Sequence, residues 1–164
     1  MSAGMMFRRV LVVCTGNICR SPVGEALLRR GLPGLQVSSA GLGALVDHGV
    51  EPTARRLAEA DGLRVAEHRA RQITAEMVRG ADLVLVMSEG QKLAIAEHFP
   101  SATGKTMRFG RWLSGGDSEG ADIPDPYRRS EEVFVHVHER LVEAARGWLV
   151  RLGGHQPRHD ATDQ

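Results

Sequence analysis

The first recognisable element is "RRVLVVC", residues 8–14, where Val10 to Val13 form an unbroken run of apolar β-formers that stops at Cys14. An unbroken run, unlike an alternating one, is the pattern of a strand buried on both faces. Residues 8–13 are therefore predicted as a strand. "LQVSSAG" (35–41), "DLVLVM" (82–87) and "KTMRF" (105–109) predict three more. Between them the period lengthens to that of helices. Residues 22–31 read as one, with Ser21 near the N-cap and Pro22 in the first turn, where a missing N–H costs nothing. "EPTARRLAEADG" (51–62) places Pro52 in its first turn, Ala54, Leu57 and Ala58 on one face, and Gly62 at its close. "TAEMVRGA" is a short helix capped by Thr74, and "SEGQKLAIAEHFP" is a helix stopped by Pro100. In 129–152, Val133, Val137, Leu141, Ala144, Trp148 and Leu152 recur every three or four residues, an apolar stripe facing a core.

Strands alternating with helices predict an α/β fold: a single domain with a four-stranded parallel sheet and helices on both faces. Its expected extent is residues 7–152, with 153–164 a polar, disordered tail. In such sheets ligands bind beyond the carboxyl ends of the strands. The loop "CTGNICR" lies at the carboxyl end of the first strand and runs into a helix, so the fold directs attention there.

Composition narrows the function by exclusion. The 164 residues suit one domain. The net charge of +1 gives no argument for nucleic acid or an anionic membrane surface as partner. The apolar run after Arg8-Arg9 is only about five residues, short of the h-region of a signal peptide. No segment approaches the ~20 apolar residues of a membrane span. A cytoplasmic protein is expected, without membrane insertion and with both thiols reduced. Its two cysteines, Cys14 and Cys19, are too few for a disulfide scaffold and lack the second pair of a zinc site. No metal and no cofactor are expected.

What the loop does offer is a cradle for a dianion. Backbone N–H groups from Thr15 to Arg20 can turn inward, and the helix that follows adds the partial positive charge of its N-terminus. Arg20 supplies a planar fork matched to two phosphate oxygens. Gly16 permits a tight turn, and Asn17 tolerates a left-handed backbone and can bond across the loop. Cys14 would sit at the floor of this positive field, which favours a thiolate, and the Ser21 hydroxyl could donate to it. A thiolate beneath a bound phosphoryl group is placed for in-line displacement. The string C-T-G-N-I-C-R-S-P in a strand–loop–helix setting is far more specific than a Cys–x(5)–Arg spacing alone. A Walker loop is absent, and "GLGAL" (41–45) lacks the third glycine of a dinucleotide loop. Displacement of a phenolic oxygen, pKa about 10, also needs an acid. "DIPDPYRRS" (122–130) offers Asp122 and Asp125, with prolines stiffening the backbone around Asp125 and Tyr127 beside it. On chemistry alone the two carboxylates compete.

Together "CTGNICRS" and "DPY" resemble the low-molecular-weight protein tyrosine phosphatases, in that family's order and spacing. The resemblance runs from about residue 8 to about 150. "SSAGLGALVDHGVEPTA" and "HRARQIT" are similar to the bacterial branch associated with capsule and exopolysaccharide export. The resemblance implies a phosphotyrosine protein substrate hydrolysed through a cysteinyl-phosphate, that substrate being a bacterial tyrosine kinase of polysaccharide export. It makes Cys14 the nucleophile, Arg20 the phosphate clamp and Asp125 the general acid, and it leaves Asp122→Asn nearly silent. Thr15, Gly16, Asn17, Ile18, Cys19 and Ser21 become the substrate-binding loop. Leu45 and Tyr127 line the pocket, Leu45 standing where the eukaryotic branch tends to carry an aromatic. Gly24 departs from the alanine usual at that point of the helix. Two alternatives on the same fold are a protein-arginine phosphatase, which tends to carry threonine where Ile18 stands, and a non-hydrolysing phosphotyrosine-binding module. Arsenate reductases relay through downstream cysteines, and none follows Cys19.

The remaining polar residues read more plainly. His136 and His138 lie i, i+2 on a helix and cannot chelate one metal. His155 and His159 belong to the tail, and His68 reads as a support beneath the loop. The acid run Asp117, Glu119, Asp122 reads as a solvated loop, having no EF-hand spacing. Cys19 is expected to be the resolving thiol that traps an oxidised Cys14 as a disulfide, making the protein redox-sensitive.

Overall fold

The computed structural model describes residues 7–153; the expected tail, with His155 and His159, lies outside them. Four strands form one sheet: β1 (Arg9–Cys14), β2 (Gln36–Gly41), β3 (Leu83–Val86) and β4 (Thr106–Arg108). All pair in parallel, in the order β2-β1-β3-β4. Cys14 is in register with Gly41, and Val13 with both Ala40 and Val86. The helices are α1 (Arg20–Gly31), α2 (Pro52–Ala60), α3 (Ala75–Gly80), α4 (Glu89–His98) and α5 (Glu131–Leu152), with a 3-10 turn at Pro100–Lys105.

The pleat of β1 sorts the core into two halves. Val10, Val12 and Cys14 face α1, α2 and α5, together with Leu28, Ala58, Leu141 and Trp148. Leu11 and Val13 face the other way, against Val78 of α3 and Ile95 of α4. The expected architecture is the one observed: both faces of the sheet are covered, which is why its central strands read as unbroken apolar runs. The chain leaves β1 for β2 on one side, and β3 lies on the other. β1 therefore ends at the point where the strand order reverses, where doubly wound sheets open a crevice.

Boundaries differ from expectation in two informative places. α1 begins at Arg20, not at residue 22, with Cys19 at the N-cap position and no side-chain cap. Ser21 is thus inside the first turn, not the cap, and its hydroxyl is spent elsewhere. α5 begins at Glu131 because Ser130 accepts from the Val133 amide. Its stripe buries Phe134 and Ala145 as well, while Val133 is only half-buried. Gly24 also finds its reason: a Cβ there would stand 3.2 Å from the buried Phe109 ring, so α1 lies close over β4's end.

Candidate active site

The loop after β1 closes on itself around the Cys14 sulfur. Cys14 is buried, and its Sγ lies 2.9 Å from Ser21 Oγ and 3.4 Å from the Ser21 amide, a first-turn N–H of α1 with no intrahelical partner. The direction of each proton follows from counting donors. Asn17 spends both hydrogens of Nδ2, one on Ser21 Oγ (2.7 Å) and one on Ser39 Oγ (3.0 Å). Ser39 gives its single hydrogen to Glu25 Oε1 at 2.6 Å. Ser21 Oγ already accepts from Asn17, so its own hydrogen is left for the sulfur, a bond that stabilises a thiolate.

Asn17 is the keystone of the loop. It is fully buried with φ at +58°, the left-handed conformation asparagine tolerates. Its Oδ1 accepts from the Arg71 amide at 2.9 Å, and its carbonyl meets His68 Nε2 at 2.7 Å. His68 therefore supports the loop from beneath. Segment 42–51 ties in from the side: the amides of Leu42, Gly43, Leu45 and Glu51 donate to the carbonyls of Cys14, Thr15, Gly16 and Ile18. Thr15 Oγ1 accepts from Gln91 of α4 at 3.2 Å.

Arg20 and Asp125 meet over this loop. The Arg20 guanidinium is buried; one terminal nitrogen donates to the Ile123 carbonyl at 2.7 Å, and the other lies 3.6 Å from Asp125 Oδ2. Its Nε, also buried, has no hydrogen-bond partner among the described residues. A buried donor without an acceptor is costly. Asp125 is half-exposed, and its Oδ1 accepts from the Tyr127 amide at 3.1 Å.

A buried thiol on this loop, and a buried guanidinium paired with a half-exposed carboxyl, thus gather beyond the end of β1, and comparison with known proteins gives the arrangement its family. The family model described as low molecular weight phosphotyrosine protein phosphatase matches residues 9–158. The chain belongs to that family. The protein-tyrosine-phosphatase Etp of Escherichia coli K12 is 46% identical over 150 residues, covering 92% of this chain and 98% of Etp. The crystal structure of tyrosine phosphatase Wzb from Escherichia coli K30 with sulphate superposes with a TM-score of 0.85 at 48% identity, covering 90% of this chain and 99% of that one. The YwlE arginine phosphatase of Geobacillus stearothermophilus shares the fold at 34% identity and a TM-score of 0.81, covering 96% of this chain and 98% of that one.

The mouth of this phosphatase is apolar. Ile18, Leu45, Val50, Pro52 and Tyr127 line a cavity of about 450 Å³, with His48 and Glu51 at its polar end. Of the residues expected from sequence, Thr15 to Ser21 form the end of this loop and the first turn of α1, and Leu45 and Tyr127 are partly exposed and share the cavity with Ile18. Cys19 is buried, and burial first, then the negative charges of Cys14, Glu51 and Asp125, push its thiol far above the usual range against the pull of Arg20.

Asp122 and Asp125 separate by position. Asp122 Oδ1 accepts from Arg108 at 2.9 Å and from the Glu89 amide at 3.0 Å, whereas Asp125 stands beside Arg20. The acid run is therefore not merely solvated: Asp117 and Asp122 bind Arg108, and Glu119 pairs with Lys92 at 3.0 Å. Sequence reasoning missed Glu25, Ser39, Gln91 and Arg108. For the first three no signal marked them. Arg108 carried one, a charge inside a segment read as a strand of a sheet covered on both faces.

Proposed function

We propose that this tyrosine phosphatase hydrolyses phosphotyrosine in two steps at Cys14. The Cys14 thiolate attacks phosphorus, and the phenolic oxygen leaves with a proton from Asp125. Water then attacks the cysteinyl-phosphate with Asp125 as base, freeing phosphate and thiolate. Arg20 and the amides of Thr15 to Arg20 hold the phosphoryl oxygens throughout. The observation that carries this reading is the Ser21 hydroxyl, whose only unspent proton faces the buried Cys14 sulfur at 2.9 Å. Leu45, Ile18 and Tyr127 suit a flat aryl ring. The protein substrate is an autophosphorylated tyrosine kinase of a polysaccharide export system, met in the cytoplasm. Supporting this are the names Wzb and EpsP among the relatives, and among the described residues no helix is long and apolar enough to cross a membrane.

Cys14→Ser should abolish turnover while phosphate still binds, and quenched turnover of labelled phosphotyrosine peptide should leave phosphate on Cys14. Label on another residue would overturn the assignment. Phosphoarginine is the discriminating second substrate: with Ile18 and Leu45 walling the pocket, phosphotyrosine should be turned over at least about tenfold faster by kcat/KM, as removing a snug apolar fit costs a few kcal/mol at most.

A further inference from the structure

Arg108 closes β4, where it is buried at 4% exposure. A guanidinium is not placed in a core without partners. Its terminal nitrogens go to two carboxylates of one loop, Asp117 and Asp122, and Glu89 Oε1 stands 3.7 Å from its Nε. Burial works against the charge, but the hydrogen bonds it donates to Asp122 and Asp117, with the negative charges of both, outweigh it and hold its pKa above the ordinary value.

The loop so anchored is the one that delivers Asp125. Beyond Asp122, the Ile123 amide donates to the Met87 carbonyl at 2.8 Å, which extends the loop along the end of β3. Pro124 and Pro126 then restrict the two flanking residues, so the backbone between the anchor and Asp125 has little freedom left. Asp125 itself is half-exposed and, among the described residues, meets only the Tyr127 amide and the Arg20 guanidinium. These two contacts orient the carboxyl, but the backbone that carries it is not fixed by them. Its position is inherited from residues 122 and 123.

We infer that Arg108, acting through Asp122, is a positioning residue for the acid step: the pair fixes the loop at the height where Asp125 meets the leaving oxygen. This rests on the reading of Asp125 as the general acid. It also differs from the expectation that Asp122→Asn is silent. The geometry separates two routes by which the pair could act. Through the Ile123 carbonyl it could steer Arg20, which would affect every substrate alike. Through the Pro124–Pro126 segment it steers Asp125, which affects only leaving groups that need a proton.

The test measures kcat/KM for aryl phosphates whose phenols range from strongly acidic to tyrosine-like, since kcat/KM reports the step in which the phenol departs. Asp122→Asn keeps the shape of the side chain and removes its charge. We expect a loss of about tenfold on phosphotyrosine, a displacement penalty of the kind a shift below 1 Å brings, and under about twofold on the most acidic phenol. Arg108→Gln should show the same slope with a larger loss, and Arg108→Lys should recover part of it. Placed in an Asp125→Asn background, Asp122→Asn should cost almost nothing further, because the group it positions is gone. A leaving-group-independent loss, no loss, or full additivity in the double variant overturns the inference. If Asp125→Asn alone loses equally on every phenol, the acid assignment fails first, and the two failures are thereby told apart. Thermal unfolding of Asp122→Asn checks that the fold is intact, and that variant decides the matter should Arg108→Gln fail to fold.

Discussion

Two cysteines five positions apart share a loop and differ in what their surroundings allow. Cys14 accepts from a hydroxyl and an amide. Cys19 is a buried thiol whose ionisation is pushed far upward by burial and by nearby negative charge. Raised in this direction, the group stays a neutral thiol from acid pH through neutrality and beyond, and a neutral thiol is a poor nucleophile. Brief alkylation of the native protein at pH 7 should therefore label Cys14 and leave Cys19 free by mass, with inorganic phosphate protecting Cys14. Labelling of both would contradict the buried-thiol picture. The proposed disulfide is then a consequence of oxidation at Cys14, not of an eager Cys19. A sulfenic acid at Cys14 removes the negative charge that weighs on its neighbour. Wild type should recover most of its activity when reductant follows peroxide, and Cys19→Ser should not. Equal recovery would reduce Cys19 to packing.

At the scale of elements, the start of the sheet depends on one carboxylate. Asp82, just before β3, accepts from the amides of Arg8 and Arg9 at 2.8 Å each, pinning the entry of β1. Those two amide bonds hold its pKa below the ordinary carboxylate value. Because the folded pKa is lowered, the stabilisation is complete above about pH 4 and is lost as pH falls through the folded value. Asp82→Asn should lower the thermal midpoint at pH 7 by a few degrees, about 1 kcal/mol after allowing for exposure. The gap should close as pH approaches 2, and a gap independent of pH would place the effect elsewhere. The elements themselves were legible in the sequence because their signals are local. The runs Val10–Val13 and Leu83–Val86, and the stripe of α5, needed only a period to be read. The start of α1 was not legible, since Ser21 offers a cap by composition and only the closed loop shows that Cys14 has claimed it. The cradle was legible because Cys14 to Ser21 is one contiguous string. Its supports were not: Ser39 lies 22 residues from Asn17 and Gln91 lies 76 from Thr15, and no pattern within either segment announces a partner that distant. Asp122 and Asp125 could not be ranked by chemistry, because what separates them is Arg108, reached only by folding.

For the molecule as a whole, the place of β1 in the strand order has a consequence in time. A central strand, paired on both sides and covered on both faces, opens only when everything opens, whereas a connecting loop can open alone. The floor of the site, Cys14, is the last residue of such a strand; the roof, Asp125, rides on the 114–127 loop. Amides of Leu11 to Val13 should exchange with deuterium at the rate of global unfolding, and those of 115–120 many orders sooner, with Ile123 between them because its amide is held by Met87. Exchange of β1 ahead of the loop would refute this ordering. The two halves of one reaction centre thus keep different clocks. They also face different histories: a change in the floor must be survived by the entire fold, while a change in the roof can retune how readily a leaving oxygen is protonated, and so which substrates are turned over, without the fold beneath it being put at risk.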